Sequence, residues 1–375
     1  MTKPLFVLTE RDLAKLSVMM LLSVILFGLS GLVIMIFLQW ITRQSYAQDS
    51  IDKHGISRVS ASRLGGAAIF ISWLGLLLAG YQSDYFGDAS GGPSGPYWID
   101  WIAVGCCGLL GLVEDLRNNY LSPRCRLYAE FGIFGLAVWV WPVLIPVDLG
   151  IPGLDLLMGL PLIGWLLTVV FCVGFVNSVN MADGANGLMA GVMTIAFSLF
   201  YLSTGEFVYA AMMTACAVFT IFNVISGRLF LGDAGAYGLG ASLAVSGLYL
   251  FYENVFSAAF LACLFAYPCI DFIMTLARRY RAGRSIFLPD NDHLHNRIHY
   301  YFQRWLPSKT LANSMTGGLV VASSSGLTLV GYIYQWWPVT SDLWAWLFLF
   351  QCVGYGAVFY LTGLGRVNIQ YELRL

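Results

Sequence analysis

The chain has 375 residues, of which 58% are hydrophobic, 15% aromatic and only 11% charged, and its formal net charge is −1. A soluble domain carries roughly 25% charged residues, so the composition excludes a water-soluble globular protein, and no nucleic-acid partner is expected. Length allows about ten membrane spans of ~20 residues with short connections, and continuous rather than alternating apolar runs argue against a transmembrane β-barrel.

Eleven spans are predicted, at roughly 16–40, 64–80, 97–113, 127–146, 160–176, 187–203, 207–226, 236–252, 254–276, 314–336 and 342–363. The first apolar run is about twice as long as a signal-peptide core, so it reads as a span rather than a cleaved leader. Segment 81–96, YQSDYFGDASGGPSGP, reads as a flexible outer loop. Lys and Arg divide sharply between alternate connections. The loops 41–63, 114–126, 177–186, 227–235, 277–313 and the tail 364–375 hold 17 of the 20, whereas 81–96, 147–159, 204–206, 253 and 337–341 hold none. The positive-inside rule makes the first set cytoplasmic, with the N-terminus outside and the C-terminus inside. Lys3, Arg11 and Lys15, ahead of the first span, pull the other way. The eight Cys form no CxxC pair, and most lie within spans as small packing residues. No internal repeat of the transporter type is visible.

Acids gather on the Arg-rich face. In chain order they lie in "GLVEDLRNNYLSPRCRL" (111–127), "NSVNMADGANGL" (177–188), "GRLFLGDAGAYGLG" (227–240) and "RRYRAGRSIFLPDNDHLHNRIHYYFQR" (278–304). Glu114, Asp115, Asp183, Asp233, Asp290 and Asp292 therefore share one membrane face. Clustered carboxylates repel unless protonated or neutralised, and oxygen ligands of this kind suit Mg²⁺ or Mn²⁺. A phosphorylated substrate would account for the arginines. Each stretch also has a structural reading: "DGANG" as a tight turn, Asn177 and Asn180 as helix caps, "LGDAG" as an N-cap before close helix packing. His293, His295 and His299 lack the Cys or third well-spaced ligand of a zinc site. They fit better as donors to a phosphate or nucleotide beside Arg284 and Arg297. Asp271, inside a span between Pro268 and Arg278, is a functional candidate or the partner of an arginine.

These stretches resemble, in order, the motifs of the polyprenyl-phosphate N-acetylhexosamine-1-phosphate transferases, which include the enzyme of the first lipid step of peptidoglycan synthesis and the initiators of O-antigen, common antigen and teichoic acid synthesis. The match covers about residues 50–300. "SRLGGAAIF" is similar to an early Arg-x-Gly-Gly motif, "GLVEDLRN" to an acidic pair and "LSPRCRL" to the basic motif after it. "NSVNMADGANGLMAG" is similar to Asn-x-x-Asn-x-x-Asp-Gly-x-x-Gly and "LGDAGAYGLG" to Gly-Asp-x-Gly. "PCIDFIMTLARR" and "PDNDHLHNRI" resemble the late Pro-x-x-Asp and His-x-His motifs. The chain departs from the usual pattern at Glu114 (for Asp), Asn186 (for Asp), Arg126 (for Lys) and Asn296 (for His), each time with a polar group of similar reach.

The resemblance implies an all-α polytopic integral membrane protein of about 10–11 transmembrane helices with catalytic cytoplasmic loops, a single domain over residues 1–375, in a bacterial inner membrane, with a homodimer as one assembly. It implies transfer of N-acetylhexosamine 1-phosphate from a UDP-N-acetylhexosamine to undecaprenyl phosphate, releasing UMP. Mg²⁺ (or Mn²⁺) is the implied cofactor, with Asp233 and Asp115 as metal ligands and Glu114, Asp115, Asp183 and Asp233 as the catalytic carboxylates. Arg124 and Arg126, with Arg63, would hold the lipid phosphate. Asn177, Asn180 and Asn186 would face the nucleotide, and His293 and His295 its phosphates or sugar. The basic C-terminal end and Asp-His-Leu-His pattern look more like the O-antigen and teichoic acid initiators than the muramoyl-pentapeptide enzyme. A rival from another class is an ion-coupled transporter, which would carry its acids deep in the spans.

Overall fold

A computed structural model describes residues 10–41, 62–82, 98–117, 121–283, 285 and 291–372. Over these residues the regular structure is helical apart from one isolated β-bridge, with turns and loops between the helices. The helices are α1 (Glu10–Ile41), α2 (Gly65–Gln82), α3 (Trp98–Arg117), α4 (Pro123–Val140), α5 (Pro152–Met158), α6 (Pro161–Ala182), α7 (Leu188–Thr204), α8 (Phe207–Ser226), α9 (Gly232–Tyr252), α10 (Ala258–Leu264), α11 (Ala266–Arg281), α12 (Leu294–Trp305), α13 (Lys309–Ser323), α14 (Ser325–Ile333) and α15 (Trp344–Glu372).

Each predicted span falls on a helix or a helix pair, and the protein is an all-α polytopic membrane protein. Among the described residues, and by length and apolarity alone, four helices can cross a membrane (α6, α8, α9 and α15 over 344–363), or up to six spans if each of the two bent pairs is one. Helices α3 and α4 fall short of this standard because charged residues ride on them: Asp100, Glu114, Asp115 and Arg117 on one, Arg124, Arg126 and Glu130 on the other. The predicted outer loop lies almost wholly outside the described residues, from position 83 onward.

Helix α9 is the axis of the molecule. Every residue from Ala234 to Leu250 is buried, against α3, α6 and α2. Small residues permit this: a Cβ added to Gly66 of α2 or Gly111 of α3 would overlap the backbone of the first turn of α9. The strands of chain leading into α2 and α9 also run side by side. Ser62 donates to the Arg228 carbonyl at 3.0 Å and accepts from Phe230 at 2.8 Å, and Gly66 donates to the Leu231 carbonyl at 2.7 Å. The first and fifth sequence motifs are thereby joined.

The predicted span 254–276 is broken by an 80° bend between α10 and α11, and 314–336 bends by 46° between α13 and α14. The first break has a chemical cause. Pro268 has no N–H with which to reach the carbonyl of Leu264, four residues back. That carbonyl instead accepts the Ser325 hydroxyl at 2.7 Å, from the first residue of α14. Gln351 of α15 donates to the carbonyls of Cys263 and Ser324, at 3.3 and 3.1 Å. Each broken helix thus helps satisfy the other, as backbone buried in a membrane protein must be.

Candidate active site

The N-terminal turn of α9 gathers the acids. Gly232 has φ +72°, and an added Cβ would overlap the Arg63 carbonyl, so only glycine lets the chain turn into the helix here. The Asp115 carboxylate, at the end of α3, accepts the backbone N–H of Asp233 at 2.9 Å and of Ala234 at 2.8 Å, one on each oxygen. It caps the positive end of α9. Asp233 in turn accepts the Asn180 side-chain amide at 2.7 Å. Asp183 closes α6 as its C-cap residue. Burial, reinforced by the neighbouring Asp233 charge, pushes Asp115 up to about 8 and Asp183 up to about 7. Three carboxylates from three separate connections therefore share one field.

This arrangement fits a divalent cation of the magnesium type. Among the described residues no three His, Cys, Asp or Glu side chains form a ready-made metal cage. Magnesium takes one or two carboxylates and fills its shell with water and substrate phosphate. Each Asp115 oxygen accepts one backbone N–H and keeps a second lone pair, whereas no hydrogen bond within the described residues reaches the Asp183 carboxylate or the second Asp233 oxygen. Asp233 and Asp183 are therefore the less engaged pair, and Asp115 also positions the turn that carries Asp233.

A second cluster lies beside the first. Glu114 is buried; one oxygen accepts the Leu121 N–H at 2.7 Å and the other is 3.8 Å from the Arg126 guanidinium. Arg126 also donates to the Tyr237 hydroxyl at 3.2 Å. One turn on from Arg126, Glu130 is fully buried and accepts the side-chain amide of Asn177, while its other oxygen has no partner. Arg63 precedes α2, within electrostatic reach of Asp115. Arg124 is exposed on the first turn of α4. Asn186 is placed elsewhere: its side chain is buried against α13, on Asn313 at 3.2 Å and Ser314 at 3.3 Å. It ties two helices together and does not face the carboxylates.

The histidines complete the wall. His293 Nδ1 lies 2.6 Å from Asp271, whose other oxygen accepts the Tyr355 hydroxyl at 2.7 Å. Asp271 is therefore the partner of a histidine. The Nδ1 atom of His295 is 2.8 Å from the Tyr267 hydroxyl. Burial pushes its imidazole down to about 4, so it is neutral. Its Nε2 atom rests against Gly184, where any Cβ would collide with the ring, so the Asp-Gly turn and the His-x-His stretch form one surface. Arg297 is not a free phosphate donor: it forks onto Asp292 with two 2.7 Å bonds and lies over the Phe359 ring. Asp290 and Arg284 lie outside the described residues. Tyr237, Glu130, Tyr267 and Tyr355 also belong to these clusters, and the sequence motifs specify none of them. Of these only Glu130 carries a local signal, as an acid inside an apolar run.

Asp115, Asp183 and Asp233 meet at helix ends, whereas an ion-coupled transporter would carry its acids along a path through the spans. Comparison with known proteins sharpens this. Residues 97–251 match the family model of glycosyl transferase family 4. A Bacillus subtilis (strain 168) protein described as a probable undecaprenyl-phosphate N-acetylglucosaminyl 1-phosphate transferase is 26% identical over 295 residues, 74% of this chain and 78% of that protein. Phospho-N-acetylmuramoyl-pentapeptide-transferases are similar too: that of Lactiplantibacillus plantarum is 30% identical over 62% of this chain and 75% of its own length. That of Synechococcus sp. (strain JA-3-3Ab) is 27% identical over 82% and 88%. The chain belongs to the polyprenyl-phosphate N-acetylhexosamine-1-phosphate transferase family and is a polyprenyl-phosphate sugar-phosphate transferase.

Proposed function

We propose that the chain, acting as one domain on the cytoplasmic face of a bacterial inner membrane, transfers N-acetylhexosamine 1-phosphate from a UDP-sugar to undecaprenyl phosphate and so starts a cell-envelope polysaccharide of the O-antigen, common antigen or teichoic acid type. The observation that carries this reading is the meeting of Asp115, Asp183 and Asp233 with Arg126 beside the N-terminus of α9. A lipid phosphate held there attacks the β-phosphorus of the UDP-sugar, and the bond from that phosphorus to the UMP oxygen breaks. Positioning and charge neutralisation dominate such transfers.

Arg126, with Tyr237 beside it, holds the phosphate of undecaprenyl phosphate, with Arg63 and Arg124 at the edge of the same field. Asp233 and Asp183 hold Mg²⁺ (or Mn²⁺), with Asp115 fixing the turn that carries Asp233. A bound divalent ion supplies charge neutralisation across the diphosphate and its leaving group. Glu114 keeps Arg126 in place, and Asn180 aims Asp233. Asn177 and the two histidines face the nucleotide-sugar.

A second reading, transfer of phospho-N-acetylmuramoyl-pentapeptide, is favoured by the names of several relatives. One assay separates them. Membranes carrying the protein are given radiolabelled undecaprenyl phosphate and, in turn, a panel of UDP-N-acetylhexosamines and UDP-N-acetylmuramoyl-pentapeptide. A lipid-linked product from a simple UDP-N-acetylhexosamine, and none from the pentapeptide donor, is expected. The reverse pattern would move the chain to the peptidoglycan branch.

A further inference from the structure

Two buried imidazoles face the site from the stretch before α12 and its start, and both are held by α11. Tyr267 and Asp271 are four residues apart, so they stand on one face of that helix, opposite His295 and His293 respectively. The rings of His293 and His295 are parallel within 5°, with centroids 5.4 Å apart. Their partners differ in chemistry.

Asp271 takes three donors: His293 Nδ1 at 2.6 Å on one oxygen, and the Tyr355 hydroxyl at 2.7 Å with the Leu294 N–H at 3.3 Å on the other. A carboxylate only accepts, so Nδ1 of His293 carries a proton, and in the neutral ring Nε2 is then the acceptor. Tyr267 works the other way. Its hydroxyl already accepts the backbone N–H of His295 at 3.2 Å, and the ring nitrogen Nδ1 stands at 2.8 Å. Were Nδ1 also a donor, the buried phenol hydrogen would have no acceptor in this arrangement, which folded proteins avoid. The phenol therefore donates to Nδ1, and the proton of His295 sits on Nε2, the atom lying against Gly184.

We propose that Tyr267, Asp271 and Tyr355 are positioning residues that lock the two imidazoles in opposite tautomers, so that His293 offers the nucleotide-sugar a hydrogen-bond acceptor and His295 a donor. The second half of this rests on the transferase reading above; the tautomers themselves do not. Tyr355 belongs to α15, so the last helix has a part in the site although it contacts no reacting atom. A plain pair of flexible histidines would offer donors and acceptors interchangeably, and would discriminate less between the polar groups of a sugar diphosphate.

The test reads the tautomers first. The chain has four histidines, so NMR of protein labelled with heavy nitrogen in its imidazoles is assignable with His293→Asn and His295→Asn. The expected result is a proton on Nδ1 of His293 and on Nε2 of His295 in the resting protein. Tyr267→Phe should release His295 into a mixture and leave His293 alone, and Asp271→Asn should do the reverse. In the transfer assay each should raise KM for the UDP-sugar roughly tenfold, the loss of about one hydrogen bond, with KM for undecaprenyl phosphate unchanged. A merely structural role would instead lower folded yield and shift both constants together. Tyr355→Phe, a milder change, should show the same selectivity at smaller size if Asp271→Asn does not fold. A proton on Nδ1 of His295 in the unsubstituted protein, or unchanged kinetics in Tyr267→Phe, would overturn the proposal. Failure of the transferase reading looks different, as no UMP release from any UDP-sugar.

Discussion

At the scale of single residues, the roles proposed for Asp233 and Asp115 predict losses of different origin. Asp233→Asn keeps the shape and the Asn180 contact but removes charge that neutralises a divalent cation. Several kcal/mol of transition-state stabilisation go with it. At about 1.36 kcal/mol per tenfold, the rate should fall at least ~100-fold; near-normal turnover with unchanged magnesium dependence would sink the assignment. Asp115→Asn sets a side-chain amide against one of two backbone N–H donors, so it should lose far more activity than Glu114→Gln, and Glu114→Asp should stay active. Arg126→Ala should raise KM for undecaprenyl phosphate far more than for the UDP-sugar, and Arg126→Lys should recover much of the loss. A rise confined to the UDP-sugar would place the lipid phosphate elsewhere. Asp115, Asp183 and Asp233 were legible in the sequence because positive charge marks alternate connections and these three lie in the marked set. Tyr237 and Tyr355 were not, because a tyrosine in an apolar helix looks like any core aromatic until its hydroxyl is seen to meet Arg126 or Asp271.

At the scale of elements, apolar runs located the helices well, since a lipid solvent demands continuous hydrophobicity. They could not show which runs are straight. The 80° bend between α10 and α11 depends on Pro268 and on an acceptor-seeking hydroxyl sixty residues downstream, and such a partnership leaves no local pattern. Asn186 illustrates the same limit: its motif position suggests a ligand, while its packing against α13 is visible only in three dimensions. The bend makes its own prediction. Ser325→Ala leaves the Leu264 carbonyl without its hydroxyl donor, and Gln351→Leu strips one donor from each break. Each should lower stability by about 1–2 kcal/mol. Gln351→Leu should be the milder, because the Gln351 side-chain carbonyl is itself buried without a partner. Thermal unfolding in detergent checks both, and a wild-type midpoint for Ser325→Ala would remove the hydroxyl from the account of the break.

At the scale of the whole molecule, the carboxylate cluster couples stability to pH and to the bound ion. Asp115 and Asp183 are raised in the folded protein to about 8 and about 7, by burial first and by Asp233 second, against roughly 3.9 in an unfolded chain. Between about pH 4 and pH 8 the folded state therefore holds protons that the unfolded state has released. With the unfolded state binding fewer protons, unfolding free energy falls as pH rises through this window. The sign is opposite to that of a salt-bridged carboxylate. A divalent cation reverses the trend, because it binds deprotonated carboxylates and only in the folded site, so its stabilisation grows as protons leave. Without divalent ions, the cluster should make the protein melt lower at pH 8 than at about pH 5.5. Adding Mg²⁺ should raise the melting temperature clearly at the higher pH and hardly at the lower one. Asp183→Asn should flatten both responses, since it removes one titrating group and one ion-binding group together. An equal Mg²⁺ increment at the two pH values would detach the ion from these carboxylates, and a melting temperature that climbs across the window without Mg²⁺, to the same degree in Asp183→Asn, would show that other groups dominate the balance.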